Sequence, residues 1–315
     1  MIRFVRSAFI YSVVGVSLAL QLFAESYAQT QSVATVEPEL RNPTVVVTGS
    51  RKEQAKAFVQ EIAPQGWQGA ARGVPRWKSP ICVGVIGPQV QQGKFIADTI
   101  SVRAEAVGLE TGEPGCSTNL LVIATARPQE LLMEMAERHR AVFGFAGDAK
   151  TDTSGSDDSL SEFVANDRPV RWRQVIETIG ADGIPLDGDP RTGQGGIPTN
   201  LPIVRGDATR LRSNVSRQLS RVIIVIDTSQ TAGLSLAQVS DYLAFVALAD
   251  VDPDADLSGF PSILNLFSAQ TDHVTEMSDW DKAYLASLYS AKLNAASGTM
   301  QYNEITARLA DYELD

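Results

Sequence analysis

The sequence predicts an α/β protein of the α+β kind, a mixed sheet with helices packed on it and an N-terminal arm. Three observations carry that prediction. Apolar runs of strand length stand at residues 81–86, 120–124 and 222–226. Segments with apolar residues at helical spacing lie between and after them, and Gly, Pro and Asn mark several of the boundaries. The third is bulk: 315 residues at 44% hydrophobic composition hold one large domain or two smaller ones around a packed core.

The N-terminus has the layout of a secretory signal. Arg3 and Arg6 form a positive start, residues 8–23 an apolar stretch, and Ser26-Tyr27-Ala28 a small-residue cleavage site. Cleavage after Ala28 is therefore expected, placing the protein in the periplasm or outside the cell with no stable membrane span. An uncleaved anchor is the rival reading, but the run is short for a span of about 20 residues. Removing the signal takes two arginines and one glutamate and moves the net charge from −10 to −11. An acidic surface of that size argues against nucleic acid as a partner.

Residues 29–80 read as an arm or linker, and residues 81–315 as a single α/β domain. Within the arm, Val45-Val46-Val47-Thr48-Gly49-Ser50-Arg51 is a β-prone run closed by glycine. It resembles the TonB box, the contact segment of TonB-dependent receptors, which works by strand addition; a first strand or ordered arm is the alternative. Residues 52–62 suit a short helix, and residues 66–80 a loop packed by Trp67 and Trp77. The strand at 81–86 is followed by a helix over 94–107, with Ile96, Ile100, Ala104 and Val107 in register and Gly108 as its cap. With the strand at 120–124 this makes a βαβ unit, whose parallel strands start side by side. Cys82 and Cys116 lie at those two starts, which predicts a disulfide between them. Residues 128–143 read as a helix with Leu132, Met135 and Val142 on one stripe. Residues 150–161 read as a flexible excursion, 171–179 as an alternating strand, and 182–202 as a long loop. Helices are expected over 236–248 and 278–289, the second opened by Ser278 and Asp281.

Few constellations carry chemistry. Gly87 to Lys94 sits where a phosphate loop would, but five residues separate the glycines and Phe95 replaces the magnesium-binding hydroxyl. His139 and His273 are the only histidines, with no HExxH pair, and no GxSxG elbow is present. Asp250, Asp252, Asp254 and Asp256 alternate along one loop. As an EF-hand this loop fails at Ala255 and Pro261. An irregular calcium loop and a solvated acidic turn are the alternatives, so calcium is the one cofactor in view.

The stretch from Ser240 to Asp250, then Pro261-Ser262-Ile263-Leu264-Asn265, then Ser278-Asp279-Trp280-Asp281 leading to Leu288-Tyr289, resembles the second half of a metzincin-type zinc peptidase. It is similar also to secreted bacterial families of unknown function that share the Ser262-Ile263-Leu264-Asn265 and Leu288-Tyr289 pieces. The resemblance covers about a quarter of the chain and implies a zincin-like fold. It sets Ser240 and Ala244 on two zinc-binding histidines, Asp241 on the catalytic glutamate, Ala247 on the glycine and Asp250 on the third ligand. Leu264 takes the place of the turn methionine. Serine and alanine cannot hold zinc as imidazoles do, so peptidase activity is expected to be absent.

Two functions follow as expectations. The first is a catalytically dead, metzincin-like binding or envelope-associated module, with Asp252, Asp254 and Asp256 at the rim of its cleft and an unknown protein or small molecule as ligand. The second is a hydrolase with an acidic site around Asp241 and Asp250. A TonB-linked accessory role is a third.

Overall fold

The computed structural model describes residues 49–64, 73–146, 149–150, 157–180, 212–268 and 274–313. Helix α1 (Arg51–Ile62) opens under a Ser50 cap whose hydroxyl takes the Glu53 amide, with Glu53 reaching back to the Ser50 amide. Strand β1 (Val83–Ile86) leads through Gly87 into α2 (Val90–Ala106) and back to β2 (Leu120–Thr125). Gly87 has φ +104°, and a Cβ there would sit 2.0 Å from the Ala124 carbonyl oxygen. That closeness, not phosphate binding, accounts for the glycine. Then come α3 (Pro128–Arg138), a 3₁₀ turn (Arg140–Phe143), the short pair β3 (Phe145–Ala146) and β4 (Ala149–Lys150), and α4 (Asp157–Ala165). Strands β5 (Val170–Gly180) and β6 (Val215–Asp227) follow. The chain ends with α5 (Leu236–Leu248), a 3₁₀ turn (Ile263–Phe267), α6 (Asp279–Ser290) and α7 (Gly298–Asp311).

The main sheet runs β1-β2-β6-β5, with β1, β2 and β6 parallel and β5 antiparallel on the edge. Its inner strands are covered on both faces. Leu120, Val122, Val222, Ile224 and Ile226 join the cluster that contains α2 and α5 residues. Ile123, Ile223 and Val225 join Leu132 of α3, Phe143 and Leu160 of α4. Burial on both faces is why residues 222–226 are apolar without alternation. Helix α5 lies deeper still, with every residue from Val239 to Leu248 buried; a helix apolar all round belongs inside.

The disulfide between Cys82 and Cys116 is formed, with Cα atoms 5.9 Å apart. In the ladder, however, Val83 pairs with Leu120, so Cys116 sits in the loop before β2 and not directly across from Cys82. Asn119 secures the junction, accepting the Cys82 amide and donating to the Pro80 carbonyl.

Three expectations change. The described part of the 29–80 segment contributes to the core: Ala55, Phe58, Val59 and Ile62 are buried, and Phe58 sets its ring edge-on to Phe260 and Tyr284 and tilted to Trp280. Trp77 is buried and donates its indole N–H to the Ala247 carbonyl at 2.8 Å. The excursion at 150–161 gives way to α4 from Asp157, held by buried Leu160 and by Phe163 against Phe143. His139, whose place on or beside the apolar stripe of its helix predicts a core-edge residue, is instead an exposed cap of α3. Of the TonB-box-like run, Gly49, Ser50 and Arg51 are described and form the start of α1; Val45 to Thr48, the 182–202 loop and His273 lie outside the described residues.

Candidate functional site

A cleft of about 290 Å³ runs beside the outer edge of β5. Its floor is the stretch Val170 to Gln174. One wall is Glu162, Phe163 and Asn166 at the end of α4, and the other is Pro64 with residues 250–254. The sheet edge supplies the cleft because β5 is the last strand, and the two helical layers overhang it. Pro253, one turn beyond α5, keeps that helix from continuing and leaves the 250–254 segment free to form a wall.

The strand's alternation sorts the charges. Arg171 and Arg173 pair across the ladder with Val225 and Ile223, and so face the α3–α4 side. Trp172 and Gln174 face α5, where Trp172 meets the ring of Tyr242 and Gln174 donates to the carbonyls of Val246 and Ala249. Both arginines are only 5% exposed. Arg171 donates to Gln129 and to the Val164 carbonyl, while its Nε is buried without a partner. Burial draws the Arg173 guanidinium down to about 10.

The opposite wall is acidic. Asp250 accepts no hydrogen bond among the described residues. Burial pushes its pKa up to about 6, eased by Arg217 and reinforced by Asp252. Asp252 accepts the Asp254 amide, and Asp254 forms an ion pair with Arg168 that ties this loop to the strand's leading end. Asp256 accepts the Ser258 amide, turned into its own loop. Among the described residues no three His, Cys, Asp or Glu side chains converge as a metal site. The cleft thus holds Asp250, Asp252 and Asp254 of the sequence candidates, and neither Asp241 nor Asp256 lines it.

Asp241 has other work. It is 4% exposed and takes both ends of the Arg103 guanidinium, at 2.9 and 3.0 Å, plus the Met277 amide at 2.8 Å. That clamp joins α2, α5 and the approach to α6. Ser240 and Ala244 are fully buried, and the Ser240 hydroxyl donates back to the Leu236 carbonyl. Leu264 is half-buried in the 3₁₀ turn, packed against the core and away from the cleft. Below the helix, Asp281 is fully buried and gathers the Ser262 hydroxyl and the amides of Ile263 and Ser278. Burial raises its pKa to about 6 against the pull of those donors.

An apolar alternation over residues 171–179 reveals the strand and not its arginines. The signal was there: Arg168, Arg171 and Arg173 crowd six residues, with two of them on the face opposite Trp172. Comparison of the chain with protein-family models, with curated proteins and with solved structures finds no match.

Proposed function

We propose that this is an exported, zinc-free binding module, built on a metzincin-like frame, which holds its ligand between β5 and the 250–254 loop. The observation that carries the reading is the cleft itself, a concave site with an acidic wall at residues 250–254 across from α4, over a floor where Trp172 stands between the largely buried Arg171 and Arg173. The frame is supported by the succession of α5, the Ser262–Phe267 turn packed beneath it and a Ser278-capped α6. Export is supported by the signal-like N-terminus and the Cys82–Cys116 bridge, which suits an oxidising compartment.

The test is a thermal-shift screen of amino acids, short peptides and sugars against the protein and its Asp250→Ala variant. Compounds that raise the melting temperature of the first and not the second are the expected result. Stoichiometric zinc in the purified protein, or no compound that discriminates the two, overturns the reading. A hydrolase keeps one supporting observation. Asp250 is a carboxylate shifted toward neutrality in a cleft, which suits general acid–base work. Its partner would have to be something other than Asp241. Hydrolysis of any substrate that Asp250→Asn abolishes with the fold intact would favour it.

A further inference from the structure

We propose that the cleft takes a small organic dication, an alkyl chain with an amino group at each end, which sets one ammonium against Asp250 and Asp252 and the other against Glu162. This rests on the cleft being a binding site and names the class of ligand it holds.

The charged groups of the lining divide into those already paired and those left open. Arg168 is held by Asp254. Arg171 and Arg173 are largely buried and turn their guanidiniums into the protein, Arg171 to Gln129 and the Val164 carbonyl, Arg173 to the Phe143 carbonyl. The groups left open are all carboxylates. Glu162, exposed on the α4 wall, makes no side-chain hydrogen bond and no ion pair among the described residues. Asp252 on the opposite wall accepts the amide of Asp254 and makes no ion pair among them either. Asp250 beside it accepts no hydrogen bond, and Arg217 eases its charge without bonding to it. The space between the walls thus faces three carboxylates for which the lining offers no free cation. Burial penalises a lone carboxylate, and a cation in contact with it offsets that penalty.

The layout of the carboxylates selects the shape of the cation. A calcium ion requires a shell of oxygens round one point. These carboxylates stand on two walls, and no three acidic side chains converge among the described residues. A molecule charged at both ends uses carboxylates that are apart. The apolar surface of the cleft comes from Phe163, Trp172 and Pro64, each partly exposed. Such surface suits a methylene chain, and an indole ring also attracts an ammonium that passes near its face. Trp172 is itself braced by the ring of Tyr242. The volume of about 290 Å³ lies at the small end of ligand pockets, which favours a short chain. An amino acid would bring its own carboxylate between acidic walls, and a sugar would leave all three carboxylates unneutralised.

The probes are diaminobutane, diaminopentane and diaminohexane, each beside the monoamine of the same length, titrated calorimetrically into the full chain. Calcium is titrated in parallel. The expected result is one-to-one binding of at least one diamine, with the matching monoamine weaker by at least tenfold. Asp250→Asn and Glu162→Gln should each weaken that diamine by about tenfold, the worth of a charge-assisted contact, and bring it close to the monoamine. Glu162 is exposed, so its variant tests the site without disturbing the core. Equal affinity for diamine and monoamine, no effect of Glu162→Gln, or calcium bound more tightly than every diamine overturns the dication. If no amine binds while an amino acid, peptide or sugar binds in an Asp250-dependent way, the dication falls and the cleft reading stands. If nothing binds, both fall.

Discussion

Asp250 and Asp281 are two carboxylates raised to about 6, one on a cleft wall and one sealed beneath α5. In the unfolded chain each titrates near 3.9. Between about pH 4 and 6 the folded protein therefore binds more protons than the unfolded one. The stability linked to these groups is full below the unfolded value and is lost as pH rises through about 6. Stability should accordingly increase as the pH is lowered from 7.5 to 5, seen as a rising urea midpoint. Asp250→Asn should flatten that rise without removing it, since Asp281 still titrates. A falling midpoint would contradict the placement of both groups. At this scale the sequence was informative for Asp250, where the aspartate run and Pro253 announced an acidic loop. It announced the Ser278–Asp281 cap, which is formed, but neither the clamp of Asp241 nor the burial of Asp281 against the Ser262 turn. The partners that define them, Arg103 and Ser262, lie 138 and 19 residues away, beyond any local pattern.

Elements were read best where one local rule dominated. Helix α5 runs over the expected residues because Ser235 caps it, with Gln238 completing the reciprocal pair, and its apolar residues are continuous. Helix α2 begins four residues before the expected start, since Gln89 and Gln92 cap it in place of the usual serine or aspartate. Helix α4 was hidden by the Asp, Ser and Gly around it; its Leu160, Phe163 and Val164 spacing was the only signal. The joint among α2, α5 and α6 is electrostatic at one point, the Arg103–Asp241 pair. Asp241 is nearly buried, whereas Arg103 keeps 26% of its side chain exposed. Breaking a fully buried pair costs about 3–5 kcal/mol, and the exposure of Arg103 discounts this to roughly 2 kcal/mol for Asp241→Asn. Urea unfolding measures it. A loss of that size with ligand binding unchanged would mark Asp241 as a positioning residue of the fold, and unaltered stability would refute the clamp.

For the whole molecule, a mixed sheet with helices on it was legible, and the layer order was not. Runs of apolar residues announce strands, but only the pairing of β6 with both β2 and β5 puts β5 on the edge. The bridge from Cys82 closes a loop of 34 residues, which limits the unfolded chain and is worth about 3–4 kcal/mol on the loop-entropy scale. Replacing both cysteines with alanine should lower unfolding free energy by about that amount, and a loss below about 1 kcal/mol would show that the β1–β2 junction is held by Asn119 and packing alone. Another consequence comes from α1. Its Lys56 carbonyl accepts the Tyr302 hydroxyl, and Arg51 donates to the Tyr312 carbonyl and stacks over Trp280. The first of the described helices thus finds partners 246 and 261 residues further along the chain. Until Phe260, Trp280 and Tyr284 emerge, Phe58 lacks the rings it packs among, so the nascent chain carries an uncovered apolar stripe long after α1 itself is made. A chain built this way can be kept unfolded for passage through a narrow channel, and closes only when its tail arrives.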